Sequence, residues 1–184
     1  VLASFLLAAC LSMHAEVKLP AIFSDGMVMQ QQTNANLWGM ATPNKKVTVT
    51  TGWNGKQYAV TADKNGSWKL SVSTPEAGGP YTITFDDGTP KTLNNILIGE
   101  LWLCSGQSNM EMPMKGFKNQ PVENANMDIL RSKNPHIRLF TVKRTSTITP
   151  QNDVVGSWKE AAPVSVRDFS ATAYYFGRLV NEIL

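Results

Sequence analysis

Apolar and polar positions alternate over short runs from Val17 to about Asn94, and the rhythm changes after Asn95. In the first stretch Val47, Val49 and Thr51 alternate with Thr48 and Thr50, and Tyr58 and Val60 share a period with Trp68, Leu70 and Val72. Between the last two sets lies Asp63-Lys-Asn-Gly66, whose Asn-Gly step signals a hairpin because both residues tolerate positive φ. Gly78-Gly79-Pro80 precedes the run from Tyr81 to Phe85, and Asp86-Asp-Gly88 marks another turn. Nothing here has a helical period. Short strands at this spacing predict an antiparallel β-sandwich over residues 17–94.

Residues 96–104 form an apolar run of the kind a strand buried on both faces shows. Residues 110–120 read as a loop, since Pro113 and Gly116 interrupt any helix. Residues 121–131 read as a helix with Val122, Ala125, Ile129 and Leu130 on one side and Asn134-Pro135 as its stop. Residues 137–142 are the next strand. Strand, helix and strand in about fifty residues make a βαβ unit with a parallel sheet. Residues 145–166 read mostly as loop. Ser170 caps a last helix carrying Ala173, Phe176, Leu179, Val180, Ile183 and Leu184 at helical spacing. That helix has no Gly, Asn or Pro stop, and two parallel strands with two helices do not cover both faces of a doubly wound sheet. The expectation is the amino-terminal part of a longer protein.

The first sixteen residues follow neither rhythm. The apolar run from Val1 to Leu11 is too short to span a bilayer and reads as the hydrophobic part of a secretory signal, with cleavage after Ala15 as one option. The other option is a lipoprotein box at Leu7-Ala-Ala-Cys10, with Cys10 lipidated. Either way the protein is expected to be exported: periplasmic, secreted or membrane-anchored. If Cys10 leaves with the signal, Cys104 remains as a single thiol inside a buried strand, in the role of a small hydrophobe.

Composition changes this picture little. With 184 residues, 42% hydrophobic and 17% charged, the chain suits one or two globular domains. A net charge of +3 without a dense basic run does not suggest nucleic-acid binding. Two cysteines make no disulfide framework. No phosphate loop, zinc spacing or calcium loop is present, so neither metal nor cofactor is expected.

The candidate chemistry lies in Leu101-Trp-Leu-Cys-Ser-Gly-Gln-Ser-Asn-Met110. A hydroxyl on a Gly-bearing turn at the carboxyl end of a buried strand sits where open α/β sheets place reactive groups, which singles out Ser108. The plainer reading is a strand-to-helix turn rich in capping residues. A serine nucleophile needs a histidine to take its proton, and only His14 and His136 exist. His14 lies in or beside the signal, and His136 begins a strand at the end opposite the turn. Met110, Met112 and Met114 read as an apolar lip rather than soft-metal ligands. Glu100 reads as a structural hydrogen-bonding group and Asp168 as a carboxylate favoured near a helix start. Trp38, Trp53 and Trp68 are read as packing residues, Trp53 being the best candidate for stacking on a sugar ring.

Gly106-Gln107-Ser108-Asn109-Met110, preceded by Gly99-Glu-Leu-Trp-Leu-Cys104, resembles the first block of the SGNH-type serine esterases, and more closely the sialate O-acetylesterase family. Leu19-Pro-Ala-Ile-Phe-Ser-Asp-Gly-Met-Val-Met-Gln30, Ala77-Gly-Gly-Pro-Tyr81, Ile137-Arg-Leu-Phe-Thr141 and Phe169-Ser-Ala-Thr-Ala-Tyr-Tyr-Phe-Gly177 are similar to stretches of that family in the same order. The resemblance implies a supporting β-domain (17–94) followed by the start of a three-layer, flavodoxin-like α/β esterase domain (95–184). It implies Ser108 as nucleophile, with Gly106, Gln107 and Asn109 framing its turn and its own amide as one oxyanion donor. The implied substrate is an O-acetylated sialic acid or another acetylated glycan, without a metal. The histidine, its acidic partner and the remaining oxyanion donors fall in a later block, so little turnover is expected of this chain alone. Acetylxylan and other carbohydrate acetylesterases share the serine block. A glycan-binding protein with an idle serine, or a fragment needing a second chain, are the rival expectations.

Overall fold

The computed structural model describes residues 16–184, so the signal and the Cys10 anchor fall outside the described residues apart from Glu16. Seven strands occupy the first half: β1 (Val28–Gln30), β2 (Asn34–Met40), β3 (Lys46–Thr51), β4 (Gln57–Thr61), β5 (Ser67–Ser73), β6 (Gly78–Asp86) and β7 (Lys91–Gly99). Alternation explains what they bury. Val47 and Val49 of β3, Ile83 and Phe85 of β6, and Leu93, Ile96 and Ile98 of β7 point into one core. Leu37 of β2 and Trp68 and Val72 of β5 close it from the other side.

The strands do not form the expected antiparallel sandwich. Five of them make one mixed sheet in the order β1-β7-β6-β3-β4, which curls into a half-barrel. It is mixed because β1 runs parallel to β7, with Val28 opposite Leu97 and Gln30 opposite Gly99. Only the two-stranded ribbon β2–β5 lies apart from that sheet in this half. The Asp63–Gly66 turn shows why periodicity misleads here. It is a real tight turn: the Gly66 amide donates to the Asp63 carbonyl at 2.9 Å, and Asp63 Oδ1 accepts from the Asn65 and Ser67 amides at 2.8 Å each. Yet β4 pairs with β3 and β5 with β2, so the turn joins two sheets. Gly66, at φ +86°, is required because a Cβ there would collide with the Ala41 carbonyl.

The second half contains α1 (Ser108–Glu111), α2 (Ala125–Leu130), β8 (Asn134–Phe140), β9 (Trp158–Ala161), α3 (Pro163–Val166) and α4 (Ala171–Ile183). The expected parallel βαβ unit and flavodoxin-like start are absent. β7 ends at Gly99, the last residue with a partner in β1, and residues 100–106 carry no strand. β8 pairs antiparallel with β9, a strand of four residues inside the stretch read as loop and too short to show a period. The two strands of the expected parallel sheet thus belong to different sheets. The helix read from residue 121 starts later, because Asn124 adopts a left-handed conformation at φ +57° directly before α2. The last helix forms as expected, with Ser170 Oγ accepting from the Ala173 amide at 3.3 Å.

Met114, Ala125, Ile129, Ile137, Leu139, Ala161, Val166, Ala171 and Tyr174 build a second core. The two halves are pinned together through β8 and β9. Trp158 Nε1 donates to the Ile22 carbonyl at 2.8 Å. The Arg138 side chain, 4% exposed, pairs with Glu160 at 3.1 Å and donates to Asn95 Oδ1 at 3.1 Å. Within the second half, Asp128 of α2 binds α4: Tyr175 Oη donates to it at 2.7 Å and Arg178 at 2.8 Å. The Tyr175 and Arg178 hydrogen bonds hold the Asp128 carboxyl below its ordinary range. Burial, then the bond to Asp128, pushes the Tyr175 phenol up to about 12.

Candidate active site

The serine turn is fixed from both ends. Upstream, the chain leaves β7 into a polar clamp. Glu100 accepts from Gln31 Nε2 at 2.8 Å and Gln30 Nε2 at 3.3 Å, while Gln30 Oε1 accepts from the Leu101 amide at 2.9 Å. These bonds, Gln31's foremost, hold the Glu100 carboxyl below the usual range. Glu100 is thus the structural hydrogen-bonding group the sequence suggested, though it is exposed. Beyond it the expected buried strand does not continue: Leu101, Trp102 and Leu103 are exposed, and so is the Cys104 thiol, which is no small core hydrophobe. The Trp102 ring meets the Phe176 ring of α4 edge-on at 5.1 Å.

At Gly106-Gln107-Ser108-Asn109 the chain turns into α1. The Gln107 carbonyl accepts from the Met110 and Glu111 amides at 2.9 and 3.2 Å, and the Ser108 carbonyl from the Met112 amide at 3.1 Å. A Cβ on Gly106 would come within 3.3 Å of Met110 Cβ, so this position favours glycine. Ser108 is the first residue of the helix and is exposed. Among the described residues its hydroxyl has no hydrogen-bond partner, and the Ser108 and Asn109 amides have no acceptor. The Gln107 and Asn109 side chains are likewise exposed and unbonded among the described residues.

Downstream, residues 112–115 run beside residues 167–171. The Ala171 amide donates to the Met112 carbonyl at 2.8 Å, Met114 to Phe169 at 2.9 Å and Lys115 to Arg167 at 3.0 Å. Asp168 pairs with Lys115 Nζ at 2.6 Å, and this hydrogen bond holds its carboxyl below the ordinary range. Asp168 therefore ties this ribbon together as well as standing near the start of α4. Thr172 Oγ1 donates to the Asn109 carbonyl at 3.1 Å, and Ser170 Oγ reaches Met110 Sδ at 3.4 Å. Sequence reading missed the contributions of Gln30, Gln31 and Thr172. Their partners lie 63 to 71 residues away, so no local pattern exposes them.

The other candidates find structural roles. His136 is exposed on β8, and its amide donates to Asn134 Oδ1 at 2.8 Å; it makes no hydrogen bond to Ser108. His14 lies outside the described residues. Met114 is fully buried in the second core, while Met110 and Met112 are half-buried. Trp68 is core, Trp38 packs on Phe23 with ring centroids 4.6 Å apart, and Trp53 packs on Tyr81. Trp53 is half-buried and donates to the Ser73 carbonyl at 3.1 Å, so its loop is less open than the sequence suggested.

An exposed hydroxyl at a helix start beside two unpaired amides suits acyl transfer, in which an oxygen attacks a carbonyl and N–H groups stabilise the resulting oxyanion. No family model matches the chain. Its fold is close to that in the crystal structure of a carbohydrate acetylesterase from Xanthomonas citri, with a TM-score of 0.84 and 30% identity, covering 91% of this chain and 37% of that one. By fold, then, the chain is similar to part of a carbohydrate acetylesterase. Among curated proteins, the sialate O-acetylesterase of Mus musculus is 30% identical over 86% of this chain and 32% of its own length. That of Homo sapiens is 26% identical over 91% of this chain and 35% of its own length. This is a partial sialate O-acetylesterase-like chain, spanning about a third of the length of the curated relatives it matches.

Proposed function

We propose that this chain is the nucleophile-bearing part of an exported carbohydrate esterase that hydrolyses O-acetyl esters of sialic acid. The observation that carries the reading is the likeness to sialate O-acetylesterases over about nine-tenths of the chain. Ser108 Oγ attacks the acetyl carbonyl, the sugar oxygen leaves with a proton, and water then hydrolyses the acetyl-serine ester. The Ser108 amide is one donor to the oxyanion. Gln107 and Asn109 present their side chains beside the acyl group, and Gly106 lets the turn close. Among the described residues His136 makes no hydrogen bond to the serine, and the reading takes the base and its carboxylate from outside the described residues.

A second reading comes from the Xanthomonas citri neighbour, which is described only as a carbohydrate acetylesterase. It keeps the chemistry and changes the sugar to acetylxylan or another acetylated glycan. The test uses the complete product of the reading frame that carries this chain. Acetate release is measured from O-acetylated sialic acid and from acetylated xylan, for wild type and Ser108→Ala. The expected result is turnover on the sialate, reduced by about 10³-fold or more in the variant. Turnover that survives Ser108→Ala removes the nucleophile assignment, and turnover on xylan alone selects the second reading. Glycan binding that persists with no turnover in either protein leaves a binding module in place of an enzyme.

A further inference from the structure

α1 is a single turn, so its carbonyls need donors from the residues just beyond it. In an α-helix the carbonyl of residue 109 accepts from the amide of residue 113. Residue 113 is proline and has no N–H. The neighbouring carbonyls are served from within the turn: Gln107 by Met110 and Glu111, and Ser108 by Met112. Asn109 would be left with nothing, and it is served instead by the Thr172 hydroxyl, at 3.1 Å, from the first turn of α4. The same end of α4 and the residues before it hold the rest of the segment. The Ala171 amide takes the Met112 carbonyl, and Pro113 bridges to Ser170.

We propose that Thr172 is a positioning residue for Ser108, its hydroxyl replacing the helical hydrogen bond that Pro113 cannot make. This rests on Ser108 being the nucleophile. The Asn109 carbonyl belongs to the peptide unit that joins Asn109 to Met110, one residue past the serine, so anchoring it fixes the direction of α1. It thereby fixes where the Ser108 hydroxyl and amide point relative to the acyl carbonyl. Freed of this bond, the one-turn helix can fray and the serine samples unproductive directions. Substrate binding elsewhere is untouched. Loss therefore falls on kcat and leaves KM nearly alone, because the misplacement is felt when the nucleophile must reach the carbonyl. Thr172 is exposed, so the hydroxyl can be removed without opening a cavity.

The experiment compares wild type, Thr172→Val, Thr172→Ser and Ser108→Ala in the complete protein, with 4-nitrophenyl acetate as probe and a thermal melt for each. Thr172→Val keeps the shape and loses the donor. Expected are a kcat lowered about 10- to 100-fold with KM within about twofold. Thr172→Ser restores most of kcat. Should Thr172→Val melt early, Thr172→Ala replaces it, assayed at a temperature where all variants are folded. Wild-type kcat in Thr172→Val, or equal losses in the serine and valine variants, overturns the positioning role while Ser108→Ala remains inactive. Turnover that survives Ser108→Ala overturns the nucleophile, and the positioning role with it.

Discussion

The two halves of the molecule spend their apolar residues differently. In the β half nearly every inward position of the alternating strands is buried: Val47, Val49, Val72, Ile83, Phe85 and Ile96 are at 0% exposure. In the half that carries Ser108, Leu103 is 91% exposed, and Leu179 and Ile183 of α4 are 56% and 71% exposed. Both sets stand out in the sequence with equal clarity. The pattern tells which face of an element is apolar, and it does not tell whether anything covers that face. The β half covers its own through strand pairing and the β2–β5 ribbon, whereas α4 buries only the Ala171, Ala173 and Tyr174 side.

The sharpest way to break this contrast is at Phe85, which packs beside Trp68 with ring centroids 5.9 Å apart. Phe85→Ala is expected to cost about 3–5 kcal/mol of unfolding free energy in urea, as large-to-small changes in a closed core do. A loss under about 1.5 kcal/mol would mean that this core collapses easily and is not the well-packed region. Next comes the junction. Arg138→Met removes a buried guanidinium that bonds Glu160, Asn95 and the Pro135 carbonyl. Glu160 is half exposed, so the expected cost is discounted from that of a fully buried pair to about 1–3 kcal/mol. Equal stability of the variant and wild type would show that the halves do not depend on this pin.

How much of this was legible runs along the same division. The strand character of residues 17–94 was plain, because period-2 alternation is local. Their pairing was not: the Asp63–Gly66 turn is correct as a turn, yet it connects β4 and β5, which bond to other strands. Antiparallel and parallel neighbours leave the same alternation, so the parallel β1–β7 pair that makes the sheet mixed had no local signature. The last helix and its Ser170 cap were legible, because an amphipathic period and a capping serine are both local. The apolar run of residues 96–104 predicted a strand throughout, but the ladder stops at Gly99 where β1 ends. At the candidate site, Ser108 and its glycine turn could be found from the motif. Thr172 could be found only once α4 was seen beside α1, although Pro113 announced that a carbonyl would lack its donor.

The link between α2 and α4 is a smaller and more specific test. Tyr175→Phe removes the bond to Asp128 and is expected to cost about 1 kcal/mol at neutral pH. Its pH dependence has a definite sign. The folded phenol titrates at about 12, above its ordinary value of 10.0, so the folded state holds that proton more tightly. The stabilisation is complete below pH 10 and is lost as pH rises towards 12, and Tyr175→Phe should flatten that alkaline limb. Asp128, lowered in the folded state, acts on the acid side: its contribution is present above the ordinary carboxylate range and fades as pH falls through its lowered value. An unchanged alkaline limb in the phenylalanine variant would place that titration on another group.

The smallest effect is expected where the apolar residues are most conspicuous. Leu103 has almost no surface removed from water, so Leu103→Ser has almost no burial to lose. The expected change in unfolding free energy of this chain is within about 0.5 kcal/mol, the usual range for exposed positions. Trp102 is intermediate: it is 57% exposed but packs edge-on against Phe176, so Trp102→Ser should cost somewhat more, about 0.5–1.5 kcal/mol. The pair of variants separates two meanings of an apolar run. If Leu103→Ser is neutral and Trp102→Ser is mildly destabilising, residues 101–104 are held by the aromatic contact and the Glu100 clamp alone. A loss at Leu103 approaching that at Phe85 would show that the run is buried in solution, and the contrast between the two halves would fail at its clearest point.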